Sequence, residues 1–250
     1  MPPNPSAFRC LERNDDRYSQ SLVRSVYTSR RTFGEFRPHL ILVTAASAGL
    51  GRPLIELILK GGDIAVATLR TPSALDDLKE AYDESKLLVL PLDVTNVEQI
   101  RSGFQAATDK YGRIDFVYNL AGHGLIAEVE GTPEEVAKAM FEVNFWGATR
   151  ISNEAVRVFR EVNKPQGGHL FVISSLVGLK PMAGTGFYSA AKHGQALSHQ
   201  KSSSHCSPFL TALEGVTEAL SMELHPSWSI KVWCQGFVVL FPPKLQNRSQ

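Results

Sequence analysis

Cysteine is scarce in this sequence: Cys10, Cys206 and Cys234 are the three present among 250 residues. Thiols so few and so far apart offer neither a disulfide framework nor the close pairs of a structural metal site, and they suit a reducing compartment. No metal is expected. A charge excess is missing too. Lysine and arginine number 26 against 25 aspartates and glutamates, a formal net charge of +1. That balance singles out neither nucleic acid nor an anionic membrane surface as a partner. No apolar run approaches the roughly 20 residues of a membrane-spanning helix. Glycine and proline, 19 and 14 residues, are too few for a low-complexity chain. What remains is 43% hydrophobic residues, enough for a sizeable core, in a length that suits one domain or at most two. The expectation is a soluble, intracellular, globular protein.

Residues 1–37 lack the apolar period of the rest. They are rich in serine and in arginine, from Arg9 to Arg37, and contain no lysine. Mitochondrial transit peptides share that bias but are poor in acid, whereas Glu12, Asp15, Asp16 and Glu35 interrupt this stretch. It reads as a disordered tail, which places the chain in the cytoplasm rather than the mitochondrion.

A single domain is expected over 38–250. Short apolar runs read as buried strands at Leu40–Thr44, Ile64–Thr68, Leu87–Leu92, Ile114–Tyr118, Leu170–Ser174 and Ile230–Trp233. Helix-length segments with start signals lie between them. Thr132, followed by Pro133, Glu134 and Glu135, predicts a capping box, and Thr95 with Glu98 predicts another. Strands alternating with helices argue for right-handed parallel β-α-β units. The fold class expected is α/β, a Rossmann-type doubly wound parallel sheet with helices on both faces.

After the first strand comes Thr44-Ala45-Ala46-Ser47-Ala48-Gly49-Leu50-Gly51, then a helix-like segment from Arg52 to Lys60. A small-residue turn feeding a helix amino terminus suits a phosphate, because backbone N–H groups and the helix dipole both favour an anion. Glycine lets the backbone approach a pyrophosphate closely. The second strand ends in Ala67-Thr68-Leu69-Arg70, with no acid for a ribose 2′-hydroxyl and one arginine for a 2′-phosphate. That end predicts NADP over NAD.

Tyr188-Ser189-Ala190-Ala191-Lys192 sets a phenol and an ammonium four residues apart, hence on one face of a helix. A neighbouring positive charge favours phenolate, which suits a general acid or base. A second pair, Tyr82 and Lys86, has the same spacing. What separates them stands thirteen residues upstream: Ser175 at the end of a strand-like run in one case, and Leu69 in the other. Ligands of open parallel sheets bind beyond the carboxyl ends of the strands, where Ser175 falls. Tyr82–Lys86 is therefore read as a decoy.

These residues together resemble the short-chain dehydrogenase/reductase family, over about residues 39–193 and 212–232. The family's Thr-Gly-x-x-x-Gly-x-Gly is matched by Thr44, Gly49 and Gly51, with Ala45 in place of the first glycine. Its Asp-Val beside the adenine is matched by Asp93-Val94, and its Asn-Asn-Ala-Gly by Asn119-Leu120-Ala121-Gly122. Asn144 matches its helix asparagine, and Ser175, Tyr188 and Lys192 its catalytic trio. The resemblance implies that Tyr188 exchanges a proton with the substrate oxygen and that Lys192 assists it and holds the nicotinamide ribose. It implies that Ser175 polarises the carbonyl and that Asn144 supports a proton relay. It further implies an NADP site built by Thr44, Ser47, Gly49, Leu50, Gly51, Arg70, Asp93, Val94, Asn119, Ala121 and Gly122 together with Tyr188 and Lys192. The substrate would be a small carbonyl compound or secondary alcohol, and the assembly a homo-oligomer.

Two stretches depart from the family pattern. Gly194–Thr211 separates Lys192-His193 from Ala212-Leu213-Glu214-Gly215, and removing it restores the family phrase. It reads as an inserted loop, explained by a retained intron or an unusual splice form, and would hinder the family's subunit contact. After Val232 the family's substrate-covering segment and last strand are largely absent, which leaves the substrate unnamed. Together with Ala45 and Leu120, these departures favour a rival reading, a catalytically impaired nucleotide-binding remnant, whereas the intact Ser175, Tyr188, Lys192 and Asn144 favour the leading one, an NADP-dependent oxidoreductase. A longer-chained epimerase or dehydratase, whose glycines are spaced differently, is a third.

Overall fold

The computed structural model describes residues 38–179, 181–192 and 212–235. The expected tail at 1–37, the expected insertion at 194–211 and the chain from Gly236 onward lie outside the described residues. Six strands form one sheet: β1 (Leu40–Val43), β2 (Ile64–Leu69), β3 (Leu87–Pro91), β4 (Phe116–Asn119), β5 (Gly168–Ile173) and β6 (Ile230–Gln235). All neighbours are parallel, in the order β3-β2-β1-β4-β5-β6. These are the six apolar runs of the sequence. The strand order reverses direction between β1 and β4, so the crevice of a doubly wound sheet opens above their carboxyl ends.

Alternation along each strand divides the core in two. Ile41 and Val43 face Leu54, Ile55 and Ile58 of α1 (Gly51–Lys60), and Leu78 of α2 (Asp76–Ala81) joins that cluster. Leu40 and Leu42 face the other way, toward Ile100 and Phe104 of α3 (Val97–Tyr111). α4 (Glu134–Phe141) runs on through a π-helical turn at Glu142–Gly147 into α5 (Ala148–Arg157), which covers the same side. Ile151 and Ala155 of α5 are fully buried in this second cluster. Among the described residues, α6 (Leu176–Leu179), α7 (Gly186–Lys192) and α8 (Ala212–Glu223) follow β5. Covered on both faces, the strands need apolar residues at nearly every position, and all four residues of β1 are buried.

Local boundaries shift where a side chain from elsewhere intervenes. β4 starts at Phe116 rather than Ile114 because the Asn163 amide takes both backbone groups of Ile114. The α3 cap is Asn96, whose Oδ1 accepts the Gln99 amide at 3.0 Å. Thr95, the expected cap, gives its amide and hydroxyl to the Asp93 carboxylate, the stronger acceptor. Pro133 is extended at ψ 140°, so α4 begins one residue later than the capping box requires. The Thr132 hydroxyl turns back to the Glu128 carbonyl at 2.6 Å.

Candidate active site

The site begins where β1 ends. Thr44 is fully buried, and its hydroxyl oxygen accepts the amides of Leu120 at 2.9 Å and Ala121 at 3.0 Å. Its own amide donates to the Tyr118 carbonyl at 3.0 Å. The turn after β1 and the loop after β4 are thereby joined across the reversal point of the sheet. Ala45 follows with φ +54°, a left-handed conformation that costs an L residue about 1–2 kcal/mol. Glycine's place in the resembled pattern is thus a place where the backbone wants glycine. At Gly51 the demand is steric: a Cβ there would lie 2.2 Å from the Ala45 carbonyl oxygen. Gly49 sits at φ +57° with open space around it.

No side chain caps α1, and its first turn carries no acid. Its positive end is left for an external anion, so these residues fit a dinucleotide pyrophosphate. Ser47 is exposed on the same turn and Leu50 is half-buried.

At the neighbouring strand ends, Arg70 is exposed just beyond β2, and its charge reaches both Asp93 and His123. The Thr95 amide, bonded to Asp93 Oδ1 at 2.9 Å, holds the Asp93 carboxyl below the usual carboxylate range. The Thr95 hydroxyl and Arg70 add to this, against partial burial. Val94 packs so closely on the π turn that a Cβ on Gly147 would meet it at 2.6 Å. Asn119 is buried, and its amide nitrogen donates to the Ala148 carbonyl at 2.8 Å and the Ser152 hydroxyl at 3.3 Å. That side chain is engaged with α5.

Asn144, also fully buried, lies within the π turn. Its amide nitrogen donates to the His123 carbonyl at 2.7 Å, and its Oδ1 accepts the His123 amide at 2.9 Å. The loop after β4 is clamped at both backbone groups of one residue. Gly122 is confined by the same clamp: a Cβ there would lie 3.2 Å from Asn144 Oδ1 and 3.4 Å from Lys192 Nζ. Lys192 is 4% exposed and donates to the Ile173 carbonyl at 3.1 Å, which fixes α7 to the end of β5. Ser175 is buried two residues beyond that carbonyl. The half-buried Tyr188 ring approaches the Cβ position of Gly124 at 3.7 Å. Asn144, Lys192 and Tyr188 therefore surround one loop, Gly122–Gly124, at the carboxyl ends of β4 and β5.

Two contributors belong to no motif of their own. His123 holds the Asn144 clamp through its backbone, and its imidazole is held below the ordinary histidine range, mainly by burial, then by Arg70 and Lys192. Its position next to Gly122 was the available clue. Thr185 pins the start of α7, accepting the Met182 amide at 3.1 Å and pairing with the Ser189 hydroxyl at 2.8 Å. Among the described residues, no group of three or more His, Cys, Asp or Glu could hold a metal ion. No described helix is long and apolar enough to cross a membrane.

The chain is similar to known proteins. The family model for short chain dehydrogenases matches residues 39–204. An uncharacterized oxidoreductase of Schizosaccharomyces pombe is 33% identical over 192 residues, covering 77% of this chain and 57% of the relative. The NAD(+)-dependent 15-hydroxyprostaglandin dehydrogenase of Homo sapiens is 32% identical over 160 residues, covering 61% of this chain and 56% of that protein. This chain thus spans little more than half the length of these relatives. Among solved structures, a short-chain dehydrogenase from Streptomyces avermitilis superposes with a TM-score of 0.67 at 32% identity, over 80% of this chain and 65% of that one.

Proposed function

The chain belongs to the short chain dehydrogenase family, and we propose that it is an NADP-dependent oxidoreductase acting between a carbonyl compound and the corresponding secondary alcohol. The observation that carries this reading is the convergence of Lys192, Asn144 and Tyr188 on the Gly122–Gly124 loop. The nicotinamide, when bound, supplies or accepts the hydride. Tyr188 exchanges the proton with the substrate oxygen, from a helix that Thr185 and Lys192 hold in place. Ser175, at the end of β5, orients and polarises that oxygen. Lys192, anchored by its bond to the Ile173 carbonyl, holds the nicotinamide ribose. Asn144 fixes the loop that forms the floor of the site. Such positioning supplies much of the rate enhancement open to a protein whose cofactor carries the hydride.

Arg70 supports NADP over NAD, because a guanidinium pairs with a 2′-phosphate while Leu69 before it is buried and apolar. Fluorescence titration with NADPH and NADH tests this. NADPH should bind about 10- to 100-fold more tightly, as expected for a charge-assisted contact of about 1.5–3 kcal/mol, and Arg70→Ala should remove the preference. Equal affinities in the parent protein would overturn the NADP assignment.

A further inference from the structure

Seven large hydrophobic side chains are exposed among the described residues, and three of them, Ile126, Val129 and Met182, lie on the two loops beside Tyr188. Scattered exposed apolar residues are ordinary, and Val97, Val136, Trp146 and Met222 fit that description on helical elements. The three loop residues are different because their loops are joined. The Ala127 amide donates to the Gly184 carbonyl at 2.8 Å. A Cβ on Gly184 would lie 3.5 Å from Ile126, and one on Gly186, two residues before Tyr188, would lie 2.4 Å from Val129. Gly124, on the same loop as Ile126, has its Cβ position 3.7 Å from the Tyr188 ring. The apolar side chains and the phenol thus belong to one continuous surface.

The two loop segments themselves carry little charge. Residues 121–127 and 181–187 contain no Asp, Glu, Lys or Arg. The nearest ionised groups on the first loop are Glu128 and Glu130, both exposed and flanking Val129. An anionic body seated against Val129 would meet two carboxylates. A neutral apolar one would displace water from side chains that are 56%, 60% and 37% exposed.

Resting on the oxidoreductase reading above, we propose that the substrate is a neutral ketone or secondary alcohol bearing an apolar chain, and that Ile126, Val129 and Met182 form the wall that receives the chain. Each methylene laid on that wall should tighten binding by about two- to fourfold, the upper value corresponding to full burial.

The test is equilibrium binding of a homologous series of 2-alkanones, from butanone to decanone, to the full chain with methyl-labelled methionine. Met1, Met140, Met182 and Met222 give four methyl probes. The proposal expects the dissociation constant to fall about two- to fourfold per methylene, with the Met182 signal moving and that of exposed Met222 unmoved. Ile126→Ser and Val129→Ser should each flatten the dependence on chain length, while Ile126→Leu keeps it. A flat series in the parent protein overturns the proposal. So does a series whose slope survives both serine variants, or one that leaves the Met182 signal unmoved; the last is the outcome if residues 236–250 or a second copy of the chain already covers the wall. Turnover of the same ketones with NADPH separates this from the underlying reading. Chain-length-dependent binding without any turnover refutes the oxidoreductase reading alone, whereas turnover indifferent to chain length refutes only the apolar wall.

Discussion

Tyr82–Lys86 and Tyr188–Lys192 share one spacing and end in unlike structures. Tyr82 closes α2 in an extended conformation, φ −133° and ψ 130°, so the helix stops at the first member of the pair. A turn follows, with the Ser85 amide on the Asp83 carboxylate at 2.7 Å, and Lys86 reaches out to the Gly62 carbonyl at 3.3 Å. The Tyr82 ring rests against the core cluster under α1. Tyr188 and Lys192 both lie inside α7, which starts from a Thr185 carbonyl that accepts the Ser189 amide at 2.6 Å. Spacing by four places two residues on one face only where a helix spans both. The second pair has that helix, a buried ammonium and an asparagine-clamped loop opposite. The first has none of them.

The largest expected effect breaks the comparison directly. Tyr188→Phe should lower turnover by about 10²–10⁴-fold, the usual contribution of a positioned acid or base. Tyr82→Phe should stay within about twofold of the parent. Steady-state rates with a reactive ketone decide it, and equal losses in the two variants would mean that the pairs are not functionally distinct.

Next comes the clamp that only the Tyr188 region possesses. Asn144→Ala strips partners from the amide and the carbonyl of His123 and leaves a cavity in the π turn. A loss of about 2–4 kcal/mol is expected on urea unfolding, since each unsatisfied buried group costs about 1–3 kcal/mol. Lys86→Ala, which gives up one exposed hydrogen bond, should stay within about 0.5 kcal/mol. A mild Asn144 variant would show that the clamp is incidental.

Smaller effects sharpen the contrast between this side-chain chemistry and the backbone chemistry of the glycine turn. Ala45→Gly relieves a left-handed alanine but loosens the unfolded chain, so a net gain of about 0.5–1 kcal/mol is expected. A lower unfolding midpoint in that variant would contradict the strained turn.

The smallest effect is electrostatic. The Asp93 carboxyl is lowered in the fold from its ordinary 3.8, so its stabilising contribution is present above about pH 3.8 and is lost as pH falls through the folded value. The stability gap between the parent and Asp93→Asn should be constant near neutrality and close in acid. A gap that widens as the pH drops would reverse the assigned sign.

The fold was readable because a doubly covered parallel strand needs apolar residues at almost every position. Runs such as Leu40-Ile41-Leu42-Val43 carry that requirement in the side chains themselves. Gly51 was readable for a similar reason, since only glycine lets the turn close on the Ala45 carbonyl. The capping residues were not. Thr95 has the right chemistry for α3, but Asp93 takes its amide and hydroxyl, and the role passes to Asn96.

The sequence by itself determined the strands, the two-faced core and the residue types that the site draws on. The partners of Asn144 and Lys192, the left-handed turn at Ala45 and the difference between two equally spaced tyrosine–lysine pairs were decided by the tertiary structure alone. The physical reason is range: burial and backbone preference act on each residue where it stands, whereas a hydrogen bond from Asn144 to His123 or from Lys192 to Ile173 exists only after the sheet order has brought distant segments together.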